Sequence, residues 1–206
     1  MNKCSLIVTL LISIPFLLGA NPKQKKVDTW IDAAVKQKAN LRLELQKARM
    51  PVTSKWIKTK AKAEPFSVDL KGVEKLVLIT SGGPDGSSYD HAVWGNARLI
   101  KADGTSVWLD ETPYEYGVTG WATPKMNVNA YDKEIIIGGK VYSHGVFAHA
   151  NSTLIYPVNG QYVRFEAEVG IDQTSPTGNA FFIALNVFPK QYADQLMEQM
   201  ISCASL

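Results

Sequence analysis

Few residues in this sequence have the types and spacing that acid–base or metal chemistry requires. Glu166 and Glu168 would share one face of a strand, as a pair of catalytic carboxylates would, but outward polar positions of a half-buried strand explain them better. His144 and His149 would point to opposite faces, which disfavours a shared zinc ion. There is no nucleophile-elbow serine and no phosphate-binding glycine motif. The sequence therefore favours a protein without a catalytic centre.

Residues 1–20 have the charge and hydrophobicity pattern typical of a secretory signal peptide. Lys3 supplies the positive charge and Leu6–Leu18 is an apolar run, which at about 13 residues is too short to span a membrane. Removal of the segment takes Cys4 with it and leaves Cys203 alone, so no structural disulfide is expected. We expect a secreted, periplasmic or extracellular protein with no transmembrane segment after cleavage.

Residues 21–65 form a basic arm that differs in charge from the rest of the chain. They carry 12 basic and 4 acidic side chains, whereas residues 66–206 carry 9 basic and 15 acidic ones. Apolar residues at helical spacing predict a helix from Asp28 to Arg49, followed by a basic linker. The arm could contact an anionic surface, such as a phosphate, an acidic glycan or a membrane, or it could pack on the acidic body. No nucleic-acid-binding motif is present, so nucleic acid is not an expected partner.

The body, residues 66–189, changes to the alternation of apolar and polar residues that is typical of β-strands. Turns rich in glycine separate about nine such stretches, including Lys75–Thr80 and Tyr162–Val169. Short strands at this spacing predict a mainly β protein, an antiparallel β-sandwich or jelly roll. Residues 190–206 return to helical spacing, and we expect a short C-terminal helix there.

Three stretches of the body together resemble a known family. They are Tyr142-Ser-His-Gly-Val-Phe-Ala-His-Ala-Asn-Ser152, Tyr162-Val-Arg-Phe-Glu-Ala-Glu-Val-Gly-Ile-Asp172 and Gly86-Ser-Ser-Tyr-Asp-His-Ala-Val-Trp-Gly-Asn-Ala-Arg98. Over residues 66–188 the chain is similar to the NPCBM family of carbohydrate-binding modules. The resemblance implies a galactose-binding-like, discoidin-type β-sandwich that accompanies secreted glycoside hydrolases and binds terminal sugars, notably galactose. The third stretch stands near the end of the family's usual order and comes first here, so the domain resembles a circularly permuted member.

A neutral sugar requires an aromatic face and several fixed polar groups, which belong on loops at one end of a sandwich. The candidate ligand-binding residues on such loops are Tyr116, Trp121, His149, Asn151, Asp172 and Gln173. Trp121 could equally cover the sandwich edge, and His149 could equally fix its own turn to a backbone carbonyl. The family often has a second acidic residue where this chain has Gln173. Trp94 and Trp108 alternate with polar residues in strands and are expected in the core.

Discoidin-like sandwiches often hold a structural calcium ion, which takes about six to eight oxygen ligands. Asp85 and Asp90 supply two carboxylates from the flexible stretch Gly83–Asp90. An ordinary Asp-Gly turn explains the same residues. Calcium bound at Asp85 and Asp90 is therefore a candidate cofactor.

Taken together, the sequence predicts an exported, non-catalytic β-sandwich that binds carbohydrate. One alternative is a structural or protein-interaction β-sandwich of the cell envelope. Another is a small glycoside-active enzyme, which the lack of a convergent acid–base pair disfavours.

Overall fold

The computed structural model describes residues 51–189, which form two packed antiparallel β-sheets. In chain order the strands are β1 (Val52–Thr53), β2 (Ile57–Lys58), β3 (Glu64–Asp69), β4 (Lys75–Ser81), β5 (Ala92–Ile100), β6 (Ser106–Trp108), β7 (Tyr116–Val118), β8 (Lys125–Met126), β9 (Ile135–Ile137), β10 (Lys140–Tyr142), β11 (Gly145–Phe147), β12 (Ser152–Pro157), β13 (Arg164–Ile171) and β14 (Asn179–Val187). A 3-10 turn, Leu109–Glu111, follows β6. Within this part of the chain, no helix is long and apolar enough to cross a membrane. The predicted antiparallel sandwich is confirmed here.

The hydrophobic core lies between two sheets. The first has the order β1-β14-β4-β12-β7, and β2 also pairs with β14. The second has the order β3-β13-β5-β11-β8, with β6 on β5, and β9 pairs with β10 in a separate hairpin. Alternate residues of a strand point to opposite faces, so Leu76, Leu78 and Thr80 of β4 are buried between half-buried neighbours.

Trp94 of β5 lies in the core between the sheets. Its ring packs edge-on against Phe66 of β3, with 5.3 Å between centroids, and against Phe182 of β14, with 5.1 Å. Such edge-to-face contacts suit the charge distribution of aromatic rings. The expectation for Trp94 is confirmed, but the one for Trp108 is wrong, because Trp108 is half-buried and stacks on His144 at 4.1 Å.

Residues 51–65, expected to be a linker, are part of the sandwich. Both β1 and β2 pair with β14. Ile57 is 2% exposed, and the Trp56 ring lies 5.2 Å from that of Phe181. Strands of two residues are too short to show an alternating pattern, which is why the sequence does not reveal them. The sheet therefore begins at β1, well before residue 66.

Other sequence predictions lie outside the described residues. They are the signal peptide at residues 1–20, the helix Asp28–Arg49 and the C-terminal helix within residues 190–206. The described part does show that its two ends are neighbours, because β1 pairs with the final strand, β14. Adjacent ends are what a circularly permuted domain requires.

Candidate functional site

An aromatic cluster lies at one end of the sandwich, where several strand ends meet. Trp121, Tyr131 and Tyr89 are its exposed members, with exposed fractions of 48%, 52% and 54%. His91 and His149 are its buried members, with 2% and 6% exposed. The cluster therefore presents open aromatic surface around two nearly buried imidazoles.

His91 lies at the centre of the aromatic cluster and contacts the other four rings. It stacks on Trp121, with 5.8 Å between centroids and 13° between planes. Its centroid lies 5.6 Å from that of His149, 5.9 Å from that of Tyr131 and 6.5 Å from that of Tyr89. Trp121 also contacts His149 at 5.6 Å and Tyr131 at 6.2 Å. His91 thus covers part of the Trp121 indole and leaves the rest open to solvent.

Strand pairing and one glycine position these rings. His91 precedes β5 and His149 follows β11, and because these strands are antiparallel neighbours both histidines reach the same edge. The loop that carries Trp121 is held by the Gly120 amide, which donates to the His149 carbonyl at 3.2 Å. A Cβ on Gly120 would lie 2.4 Å from the Ala150 carbonyl oxygen, so the close approach requires glycine.

Both buried imidazoles form hydrogen bonds through Nδ1. Nδ1 of His149 lies 2.5 Å from the Ala150 carbonyl oxygen, and Nδ1 of His91 lies 2.9 Å from the Thr174 hydroxyl. Burial lowers the pKa of His91 below its usual value of 6.5; His149 adds to this effect and Asp172 opposes it. His91 is therefore neutral at neutral pH.

Asp172 is fully buried behind the aromatic cluster, not on its surface. Its carboxylate accepts hydrogen bonds from the Ile136 amide at 2.9 Å, the Thr174 amide at 3.0 Å and the Thr174 hydroxyl. Asn129 adds a longer contact at 3.4 Å. A carboxylate satisfied in this way supports its surroundings. The structure therefore places Asp172 where it can act on a ligand only through Thr174 and His91.

The other predicted ligand residues lie around the aromatic cluster rather than within it. Asn151 adjoins His149, and its side-chain oxygen accepts a hydrogen bond from the Gly82 amide at 2.8 Å. Gln173 is exposed on the turn next to Asp172. Tyr116 is 52% exposed on β7, and no ring contact joins it to the cluster in the described residues.

The two predicted calcium residues are joined through Asn179. Oδ1 of Asp90 accepts from the Asn179 amide at 2.7 Å, and Asp85 accepts from the Asn179 side chain at 2.9 Å. Within residues 51–189, Oδ2 of Asp90 and Oδ1 of Asn179 are buried atoms with no hydrogen-bond partner. Burial raises the pKa of Asp90, while the Asn179 amide and His149 oppose the rise. A cation could satisfy both orphaned oxygens.

A second group of metal-ligating side chains lies beside the 3-10 turn. Atoms of Asp110, Glu111 and His144 come within 4.8 Å of one another. His144 lies 3.0 Å from the Asp110 carboxylate and stacks on Trp108. A hydrogen-bonded histidine–aspartate pair under an indole ring accounts for this arrangement.

The model of the NPCBM/NEW2 domain family matches residues 14–100 and 105–189, more than half of the chain. The chain belongs to the NPCBM/NEW2 domain family. This is a family of carbohydrate-binding modules that are generally non-catalytic. No curated protein matches the chain.

Among solved structures, the chain of this NPCBM/NEW2 member is similar to the crystal structure of the SPBc2 prophage-derived protein YomS. The identity is 13%, the match covers 66% of this chain and 95% of that chain, and the TM-score is 0.26. A score this low supports no argument from the likeness.

The aromatic cluster of this NPCBM/NEW2 chain contains residues that the sequence does not single out. Trp121 and His149 are predicted from the sequence as ligand-binding residues, whereas His91, Tyr131 and Tyr89 are not. His91 belongs to one of the stretches that resemble the NPCBM pattern, which is the signal that could have found it. Tyr131 and Tyr89 lie in turns without a motif, and only the fold brings them to the cluster.

The paired glutamates of the NPCBM/NEW2 sandwich lie apart from the aromatic cluster, in a groove lined by residues of β3, β5 and β13. Glu166 accepts hydrogen bonds from Arg98, which lower its pKa. Burial raises the pKa of Glu168, but hydrogen bonds from Lys140 and Tyr142, both at 2.7 Å, outweigh it and lower the pKa. Both glutamates are therefore ionised at neutral pH, and neither is suited to donate a proton as a general acid.

Proposed function

We propose that this chain is an exported, non-catalytic module that binds terminal, galactose-like sugars through the aromatic cluster. The observation that carries the proposal is the half-exposed set of Trp121, Tyr131 and Tyr89 around the buried imidazoles of His91 and His149. Sugar rings present C–H faces together with hydroxyl groups, so a sugar site needs aromatic surface and fixed polar groups in one place. The cluster supplies both.

Each further part of the proposal has its own support. The galactose-like class comes from the family resemblance and is consistent with the neutral imidazole of His91 in the aromatic cluster. Export is supported by the charge and hydrophobicity pattern of residues 1–20. A non-catalytic role is supported by the ion-paired state of Glu166 and Glu168.

Two successive experiments test the proposal. The full chain is first applied to a glycan array, and the neutral glycan that binds best is then titrated by calorimetry. We expect Trp121→Ala and Tyr131→Ala each to weaken binding about tenfold, because each removes an aromatic contact with the sugar ring. Tyr116→Ala is the matched control, because Tyr116 and Tyr131 are each 52% exposed and only Tyr131 lies in the aromatic cluster. Failure of the folded chain to bind any neutral glycan at millimolar concentration would overturn the proposal. An equal loss in Tyr116→Ala would move the site to β7.

We also propose a structural calcium ion at Asp85 and Asp90. The orphaned oxygens of Asp90 and Asn179 support it. A Cβ built on Gly82 would lie 2.4 Å from the Gly86 carbonyl oxygen and 2.8 Å from Oδ2 of Asp90, so these two oxygens flank one point. Carboxylate and carbonyl oxygens are the ligands that calcium prefers. Calcium would hold the loop before β5, and with it the buried side of the aromatic cluster.

A further inference from the structure

Hydrogen bonds behind the aromatic cluster fix which nitrogen of His91 carries the proton. Two backbone amides donate to the Asp172 carboxylate, one to each oxygen, so both oxygens act as acceptors. The Thr174 hydroxyl gives its only proton to this carboxylate, so towards His91 it can only accept. Nδ1 of His91, 2.9 Å from that hydroxyl, must therefore be the donor. In the neutral ring, Nε2 is left as an acceptor.

His149 reaches the same protonation pattern through a different contact. Its Nδ1 faces the Ala150 carbonyl oxygen, which can only accept, so Nδ1 carries the proton. The Nε2 atoms of His91 and His149 are not among the buried, unpartnered atoms of the described residues. No hydrogen bond within residues 51–189 occupies either atom, so both lone pairs are open to a ligand.

His91 and His149 lie next to each other in the aromatic cluster. Their ring centroids are 5.6 Å apart, and each ring is held by a hydrogen bond at Nδ1. The aromatic cluster therefore presents two Nε2 lone pairs near each other.

We propose that Asp172 and Thr174 are positioning residues that hold His91 as an acceptor, so that the aromatic cluster selects neutral sugars presenting two hydroxyl donors to His91 and His149. This inference rests on the proposed function, because it names the ligand chemistry of the same site. The oxygens of a carboxylate, sulfate or phosphate can only accept hydrogen bonds, as can the Nε2 atoms of His91 and His149. A ligand that presents such a group would therefore leave both Nε2 atoms without a hydrogen-bond partner. Such ligands are rejected.

The tautomer of His91 tests the positioning role without any sugar. The chain has three histidines, so a long-range proton–nitrogen NMR spectrum of the nitrogen-15-labelled full chain resolves three rings, assigned by His144→Gln and His149→Gln. We expect His91 to be protonated at Nδ1 in the wild type. In Thr174→Val, which cannot accept from Nδ1, the tautomer protonated at Nε2 should appear, whereas Thr174→Ser should keep the wild-type spectrum.

Thr105→Val is the matched control for these variants. The Thr105 hydroxyl also donates to an aspartate, Asp103, at 2.7 Å, and no histidine contacts it in the described residues. This variant should leave the histidine spectrum unchanged. A wild-type His91 protonated at Nε2, or an unchanged His91 tautomer in Thr174→Val, would overturn the positioning role.

Calorimetry with methyl galactoside tests the selection of donors. Of its monodeoxyfluoro analogues, which cannot donate at the substituted position, two should bind about tenfold more weakly. Thr174→Val should bind methyl galactoside about tenfold more weakly, and Thr174→Ser should bind it as the wild type does.

The outcomes separate this inference from the proposed function. If the wild type binds neither methyl galactoside nor any other neutral sugar, the proposed function fails, and the tautomer spectrum still decides whether Thr174 positions His91. If the wild type binds methyl galactoside and every fluorinated analogue equally well, the selection of sugars by their hydroxyl donors is overturned. The same conclusion follows if Thr174→Val binds methyl galactoside as well as the wild type does. Tighter binding of galacturonic acid than of methyl galactoside through its carboxylate would overturn it as well.

Discussion

His91 shows how a single side chain acquires its properties from its neighbours. Its ring contacts Trp121 and Tyr131 on the open side of the aromatic cluster and Phe147 within the sandwich. Its Nδ1 is held by Thr174. Such surroundings exclude water from most of the ring, which disfavours the charged form.

The lowered pKa of His91 predicts a loss of stability at mildly acidic pH. In the unfolded chain the imidazole regains its ordinary pKa of 6.5, so the unfolded state binds more protons than the folded state below that pH. The free energy of unfolding should therefore fall as the pH drops below 6.5. Glu166 and Glu168, whose pKa values are lowered from 4.5, add a similar loss only at lower pH.

Urea unfolding of the wild type and His91→Gln at about pH 7.5 and about pH 5.5 measures this effect. The wild type should lose more stability between the two pH values than the variant, by an amount on the order of 1 kcal/mol. Ser106→Ala is the control, because Ser106 is exposed on β6 and carries no titratable group, and it should retain the wild-type loss. An equal pH dependence in the wild type and His91→Gln would contradict the prediction.

Only part of the aromatic cluster could be predicted at the residue scale. Trp121 stands among glycine and proline residues, so its placement on a loop follows from the sequence. Tyr131 and Tyr89 are separated by about forty residues and meet only because the strand ends bring their turns together. Asp172 looks like a loop carboxylate in the sequence, and only the fold shows that the amides of Ile136 and Thr174 draw it inward.

Among the elements, the long strands follow directly from alternation and the shortest ones do not. In β4 and β12 every second residue is buried, and the sequence predicts both strands. The two residues of β1 and the two of β2 are held by pairing with β14, which depends on tertiary contacts rather than on local pattern. Trp56, just before β2, is the side chain that makes this edge part of the core packing.

Trp56→Ala tests whether residues 51–58 belong to the sandwich. The ring contacts Phe181 and lies so close to Gly83 that a Cβ there would be 2.1 Å from it. We expect urea unfolding to show a loss of about 2–4 kcal/mol, because removing the indole leaves a cavity. Trp121→Ala, at a half-exposed position, should cost less than about 1 kcal/mol. Unchanged stability of Trp56→Ala would show that this segment is a linker after all.

The loop between β4 and β5 should respond to calcium. At a calcium concentration about 100 times the dissociation constant, the free energy of unfolding should rise by about 2.7 kcal/mol, as a ligand that binds only the folded state requires. Thermal unfolding with calcium, magnesium or a chelator measures the shift. Asp90→Asn should lose the response, while Asp132→Asn, at an exposed aspartate, should keep it. An identical melting curve under all three conditions would contradict the calcium site.

For the whole molecule, charge and binding surface are separate features. The net charge of +3 combines a basic N-terminal third with an acidic remainder. Lys55, Lys58, Lys60 and Lys62 are exposed and belong to the part of the chain that joins the sandwich. The aromatic cluster contains no lysine or arginine, so the basic character of the chain is no argument for an acidic sugar. If the chain binds an anionic surface, we propose that residues 21–65 make the contact and that the aromatic cluster does not.

The central claim is that a neutral sugar binds on the aromatic cluster, and the indole N–H signals of the full chain test it most directly. The chain has five tryptophans; Trp121 lies in the cluster, Trp94 in the core and Trp108 beside His144. During titration with methyl galactoside, nitrogen-15 NMR should show a saturable shift of the Trp121 indole signal and little change at Trp94 and Trp108. A saturable shift at Trp108 with none at Trp121, or no shift at any indole at millimolar sugar, would contradict the account.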